Sequence, residues 1–286
     1  MLVRVGCEFQ YEIAFATPSV LQIQPRPDGE HRILRERWEL TPEVAVHEYR
    51  DLYANICRRL TMPPGSWRLF YDAVVEVSDR VDDVDGSARQ VPVDELPDET
   101  LIYTMPSRYC LSDTLADTAW ELFGSVQPGW PRVQAISDWV HNSLQFAYGA
   151  SNPLTTSHDV YQQRSGVCRD FAQLAVTFCR ALNIPARYVF GYLPDIDVPL
   201  TDAAMDFCAW FEAYIGDRWY TFDPRNNTPR KGRVLIGRGR DALDVAMVTS
   251  YGAPLLRQMT VWADQWTGSL DALPPVTGKP VSQVPA

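Results

Sequence analysis

The sequence predicts an α+β protein, with a β-rich amino-terminal part ahead of a core that packs helices on an antiparallel sheet. Two observations carry this. Residues 1–105 hold stretches that alternate apolar and polar side chains: VRVGCEFQYEI, VLQIQP, ILRERWEL and WRLFYDAVVEV. Turn formers such as Pro25-Arg26-Pro27-Asp28-Gly29 separate them, as β-strands require. Beyond residue 105 the apolar period lengthens to that of helices, then shortens again to that of strands.

Taken in order, residues 80–99 (RVDDVDGSARQVPVDELPDE) are acidic and broken by proline, which predicts a loop or linker. Ser112–Phe123 and Pro131–Phe146 read as helices. The second has proline at its first position and apolar residues at Val133, Ile136, Val140 and Leu144. A short helix over Asp159–Arg164 precedes another that opens near Cys168. In this last helix Phe171, Leu174, Ala175, Phe178 and Leu182 share one face, and Asn183-Ile184-Pro185 ends it. Strands follow at Ala186–Tyr192, Phe207–Ile215 and Arg218–Asp223. The division expected is a β-rich domain over 1–105, a core over 106–268 and a disordered tail over 269–286.

Composition narrows the function. A 286-residue chain that is 46% hydrophobic can bury a sizeable core. The formal charge of −10 argues against general nucleic-acid binding, which needs a basic footprint. No apolar run approaches the roughly 20 residues of a bilayer span, so no membrane partner is expected. The start, MLVRVGCEFQYEIAF, lacks an apolar signal region, which leads to an expected cytoplasmic location. Six cysteines, at 7, 57, 110, 168, 179 and 208, follow neither a metal nor a disulfide-framework spacing, and most are expected as free thiols.

One cysteine carries chemistry. Cys168 follows Ser165-Gly166-Val167 in or just before the first turn of its helix, where unpaired N–H groups and the helix dipole favour a thiolate. Such a thiolate attacks carbonyl carbon. The competing reading is a buried structural cysteine. Downstream, DFCAWFEAYIGDRWYTFDPRNN reads as a hairpin turning at Gly216-Asp217. Its register sets Ile215 opposite Arg218, Tyr214 opposite Trp219 and Trp210 opposite Asp223. Cys208, Trp210, Glu212 and Tyr214 then share a face with Asp223. Cys208 is the diagonal neighbour of Asp223, about 7–8 Å between backbones. An imidazole at 208 would bridge Asp223 to a nucleophile, the geometry of a Cys-His-Asp triad.

SGVCRDFA, NIPARYVFGYLPD and MDFCAWFEAYIGDRWYTFDPRNN together resemble the bacterial transglutaminase-like superfamily. The resemblance continues through GRVLIGRGRDALDVAMVTSYG and, in the amino-terminal half, through VGCEFQYE and PSRYC. It implies a papain-like core, with a helix-borne Cys packed on an antiparallel sheet. It also implies acyl transfer or amide chemistry, with no metal or organic cofactor. The substrate implied is a peptide, amide or thioester, including one bound to a carrier protein. Carried over by position, Cys168 matches the nucleophile and Asp223 the orienting acid. The family pattern has His where this chain has Cys208, and close relatives tend to have His where Gln173 stands.

The missing imidazoles open the question of the base. His31 and His47 are expected on the surface, His141 on the exposed side of its helix, and His158 on the segment leading to Cys168. A thiol titrates at about 8.5 against about 6.5 for imidazole, so Cys208 is a poor proton acceptor. The readings are a divergent acyltransferase with a Cys168-Cys208-Asp223 triad, a pseudoenzyme acting as a binding module, a Cys168/Cys208 redox pair, and a metal site formed with His158. Gln163 and Gln173 are candidates for a side-chain oxyanion donor. Trp210, Tyr214, Trp219 and Tyr220 could line a channel or simply form core. The basic stretch PRNNTPRKGRVLIGRGR could dock an acidic carrier or stand as a solvated loop.

Overall fold

The computed structural model describes residues 1–27, 31–199, 203–271, 273–276 and 278–281. In chain order the first strands are β1 (Leu2–Ile13), β2 (Thr17–Leu21), β3 (Arg32–Thr41), β4 (His47–Arg50), β5 (Ile56–Met62) and β6 (Gly65–Glu76). Helical segments follow: α1 (Asp98–Leu101), α2 (Ala116–Phe123) and α3 (Trp130–Ser143). Next come β7 (Gln145–Phe146), α4 (Ser157–Gln163), β8 (Ser165–Gly166) and α5 (Cys168–Ala181). The chain then forms β9 (Ala186–Tyr192), β10 (Cys208–Ile215), β11 (Arg218–Phe222), β12 (Val234–Gly239), β13 (Val248–Ser250) and β14 (Leu255–Gln265).

Three four-stranded sheets order as β14-β1-β6-β3, β13-β2-β5-β4 and β11-β10-β9-β12. All pairings within them are antiparallel, and only the short β7-β8 pair is parallel. The fold is thus α+β with a β-rich amino-terminal region. Two of its sheets are completed from the far end of the chain, β14 along β1 and β13 along β2. Sheet pairing therefore crosses the division expected near residue 105. The segment expected as a tail also has ordered contacts. Val281 N–H donates to Met259 O at 2.8 Å, and its side chain is buried. Residues 272, 277 and 282–286 of that segment, like Asp28 and Gly29 of the expected turn, lie outside the described residues.

One face of the β9–β12 sheet meets two groups of buried residues. On that face Tyr188, Phe190, Tyr192, Phe207 and Ala209 join the core of the amino-terminal sheets, which includes Phe9 and Tyr71. Phe211, Ala213 and Ile215 pack instead against Phe171, Leu174, Ala175 and Phe178 of α5. The buried stripe of α5 matches the sequence periodicity, because a central helix must cover a sheet along its length. Helix α2 begins at Ala116 rather than Ser112, since Leu111 and Thr114 close a turn before it.

Candidate active site

Cys168 is the first residue of α5. Asp170 fixes that start: its Oδ2 accepts the Val167 N–H at 2.8 Å and the Ser151 hydroxyl at 2.5 Å. Gly166 allows the approach, because a Cβ there would sit 2.6 Å from Asp170 Cβ. At the first position of a helix the Cys168 N–H has no intrahelical acceptor, so it points outward as a donor.

The hairpin register expected from Gly216-Asp217 holds, with Ile215 opposite Arg218 and Tyr214 opposite Trp219. Gly216 has φ +67°, the conformation such a turn needs. Cys208 opens β10 and packs with Trp210, Val189 and Leu235, with Cys168 against the same cluster. The two thiols share this cluster, with Cys168 Sγ 3.9 Å from the Phe207 carbonyl and Cys208 Sγ 3.7 Å from the Ala209 carbonyl. The neighbouring Cys208 thiol, with help from the Ala209 backbone amide and the Arg225 charge, lowers the Cys168 thiol below the ordinary range. The helix N-terminus acts in the same sense. Cys208 is pushed the other way by the Cys168 thiol beside it, by burial and by the nearby Asp223 carboxylate. In this pair Cys168 is therefore the thiol that ionises first.

Asp223 is brought near Cys208, as the register requires, but its carboxylate is occupied. Oδ2 accepts from Arg233 Nη2 at 3.0 Å and from Asn226 Nδ2 at 2.8 Å, while Oδ1 accepts the Asn226 N–H at 3.1 Å. Arg233 also pairs with Asp82 and lies 4.8 Å over the Trp210 ring. The guanidinium thus pairs with the carboxylate, and the two charges act on Cys208 in opposite senses, Asp223 raising its thiol more than Arg233 lowers it.

Cys168 and Cys208 open onto a cavity of about 670 Å³. Its walls include Phe190, Leu193, Met205, Met247 and Met259, with Arg169, Arg225 and Asp206 adding charge. Sequence reasoning missed Asp206 and Arg233. A lone acidic residue ahead of a strand resembles loop, and only its place two residues before Cys208 could have marked it.

The other sequence candidates fall elsewhere. His158 Nε2 meets Gln162 Nε2 at 2.8 Å on α4, and His158 does not line the cavity. His141 is half-buried rather than exposed. Its Nδ1 lies 3.1 Å from the carbonyls of Pro224 and Arg225, because the loop after β11 crosses that face of α3. Gln163 turns to the Ala150 and Ser165 carbonyls, while Gln173 is buried with Oε1 on the Ala242 N–H. Neither lines the cavity. Trp210, Tyr214, Trp219 and Tyr220 do not line it either. The basic stretch is laced into ion pairs: Arg230 with Asp195, Lys231 with Asp197, Arg238 with Glu212 and Arg240 with Asp244. Among the described residues no cluster of His, Cys, Asp or Glu has the makings of a metal site, and no helix is long and apolar enough to cross a membrane.

Comparison with known proteins bears on the fold and the family. The model of the transglutaminase-like superfamily core matches residues 117–224, a range that contains Cys168, Cys208 and Asp223. A crystal structure of a candidate cysteine protease from Cytophaga hutchinsonii is 32% identical with a TM-score of 0.85, covering 99% of this chain and 94% of that one. An uncharacterised protein of Mycobacterium leprae is 25% identical over 247 residues, 82% of this chain and 85% of that protein. An uncharacterised protein of Mycobacterium tuberculosis is 26% identical over 246 residues, 78% of this chain and 77% of its own length.

Proposed function

This chain belongs to the transglutaminase-like superfamily, whose members generally run cysteine-dependent acyl transfer or proteolysis, and on that premise we propose that it forms a thioester on Cys168. The observation that carries the reading is the Cys168 thiol, at the first turn of α5, facing a large cavity with its proton affinity lowered.

The chemistry divides the work of a triad differently. Cys168 sulfur attacks the acyl carbon, the C–S bond forms, and the carbonyl electron pair moves to oxygen. The unpaired Cys168 N–H can meet that oxyanion. Collapse expels the leaving group and leaves a thioester, which water or an amine then cleaves. Cys208 supports the thiolate as an S–H donor. Asp223 acts as a positioning residue: its charge keeps Cys208 protonated, and hence a donor. With no imidazolium to protonate a departing amine, leaving groups of low basicity are favoured. Thioesters, carrier-bound ones included, are therefore better substrates than peptides or amides. Six free cysteines suit a reducing compartment, so a cytoplasmic setting is part of the proposal.

The test is acylation by an aryl thioester followed by intact mass. The expected result is one acyl group on Cys168, absent from Cys168→Ala. Acylation that persists in Cys168→Ala overturns the reading. The contact between the two thiols favours one second reading, a redox pair. If Cys168 and Cys208 accept label only after reduction, that reading replaces the first. A binding pseudoenzyme is the outcome if Cys168 takes no acyl group under any condition.

A further inference from the structure

Among the described residues, one carboxylate lining the cavity has no cation paired to it. Asp206 stands two residues before Cys208, at the entry to β10. Phe207 between them turns its ring onto Phe9 and Tyr192, and Asp206 and Cys208 both line the cavity beside Cys168. The Phe207 backbone joins the groups. Its carbonyl lies 3.9 Å from Cys168 Sγ as acceptor of the thiol hydrogen, and its N–H donates to Asp206 Oδ1 at 2.7 Å. Among the described residues no other hydrogen bond and no ion pair holds this carboxyl.

We infer that Asp206 is the proton carrier for Cys168, doing the work that an imidazole at position 208 would have done. The inference rests on Cys168 being the nucleophile. In the first half-reaction the C–S bond forms as the thiol proton passes to the Asp206 carboxylate. In the collapse the bond from carbon to the leaving group breaks, and that same proton passes from Asp206 to the departing amine or thiolate. A second nucleophile, water or an amine, gives its proton to Asp206 as it attacks the thioester; the C–S bond then breaks and that proton passes from Asp206 to the departing Cys168 sulfur. Proton and charge thus return to their starting places.

The surroundings suit this role. Burial raises the Asp206 carboxyl to about 6, near the pH at which a general base is most effective. The charged and titratable groups around the cavity leave it so. Arg169 on α5 is spent on Ser151, Asn152 and Asp170. Arg230, in the loop after β11, is spent on Asp195 and the Pro194 carbonyl. Arg225 bonds Asn226 Oδ1 and lies 4.5 Å over Phe146. Tyr148, Tyr188 on β9, and Cys208 all have their ionisation pushed upward and remain neutral near pH 7. Asp206 also raises the Cys168 thiol by its own charge, which gives the test two readouts of opposite sign.

The experiment compares the native chain with Asp206→Asn and Asp206→Glu. One readout is alkylation of Cys168 by iodoacetamide at pH 7, which needs only thiolate. The other is single-turnover acylation by an aryl thioester and an aryl amide from pH 5 to 9. Asp206→Asn is expected to speed alkylation, because a negative charge is gone. The same variant is expected to slow acylation by the amide about 100-fold, to slow the thioester less, and to lose the limb near pH 6. Asp206→Glu is expected to keep the limb. A structural role would move alkylation and acylation in the same direction, and that result overturns the inference, as does an unchanged pH profile in Asp206→Asn. If the native chain is neither alkylated nor acylated at Cys168, the nucleophile reading falls and this inference with it.

Discussion

Asp206→Asn should stabilise the protein while it impairs the chemistry, and the gain should depend on pH. The native carboxyl is raised from its ordinary value of about 4 to about 6 by burial. A carboxyl raised in the folded state binds a proton more tightly there than in the unfolded chain. Its contribution is therefore fully favourable below about pH 4 and is lost as pH rises through 6. Two pKa units correspond to about 3 kcal/mol. Solvent reaching the open cavity screens part of this, so about 1–3 kcal/mol is expected. Asparagine has nearly the same shape, keeps an oxygen for the Phe207 N–H, and cannot ionise. The stability difference between variant and native protein should lie near zero at pH 4, grow between pH 4 and 6, and stay level above pH 7. Urea denaturation at a series of pH values reads this directly. A difference that is flat across pH, or a variant less stable above pH 7, would refute the reasoning.

Other consequences follow from neighbouring residues. Cys208→His should place an imidazole beside Cys168 and raise the rate of Cys168 alkylation at pH 6–7 by tenfold or more, on the order of one pKa unit; an unchanged rate would mean that position 208 does not govern the thiol. Arg233→Met should cost about 3–5 kcal/mol, because buried Asp223 and half-buried Asp82 would each lose this cation; denaturation that shows less than 1 kcal/mol would contradict the burial of the Arg233–Asp223 pair. Gly166→Ala should push Asp170 from its place at the start of α5, cost about 1–2 kcal/mol as a lost cap does and slow Cys168 labelling, whereas native labelling would show that the cap does not set the thiol.

What the sequence disclosed was mostly local. The start of α5 was legible because Gly166, Cys168 and the apolar stripe from Phe171 to Leu182 lie within a few turns. The hairpin register followed from one two-residue turn, since Gly216-Asp217 fixes every cross-strand pair after it. Partners far apart in the chain were not legible. β14 closes against β1 across more than two hundred residues, and local alternation carries no trace of which strands will meet. The site shows the same division. Cys168, Cys208 and Asp223 could be placed near one another because the helix start and the hairpin that carry them follow from local sequence. Arg233 was read only as part of a basic stretch, although it meets Asp223 across a loop. His141 seemed exposed on its own helix, and only the crossing of the loop after β11 brings carbonyls to it. Asp206 has no periodic signal, since its meaning comes from the cavity that closes around it.

The central claim is that Cys168 alone among the six cysteines is an activated nucleophile. Residue-resolved alkylation across pH, read by mass spectrometry under reducing conditions, tests it most directly. Cys7, Cys110 and Cys179 are fully buried with their thiols pushed upward and serve as internal references. The account predicts that Cys168 labels fastest and does so well below pH 8, while Cys208 labels slowly until the pH is far higher. Cys168 labelling no faster than an ordinary thiol, or Cys208 labelling first, would contradict it.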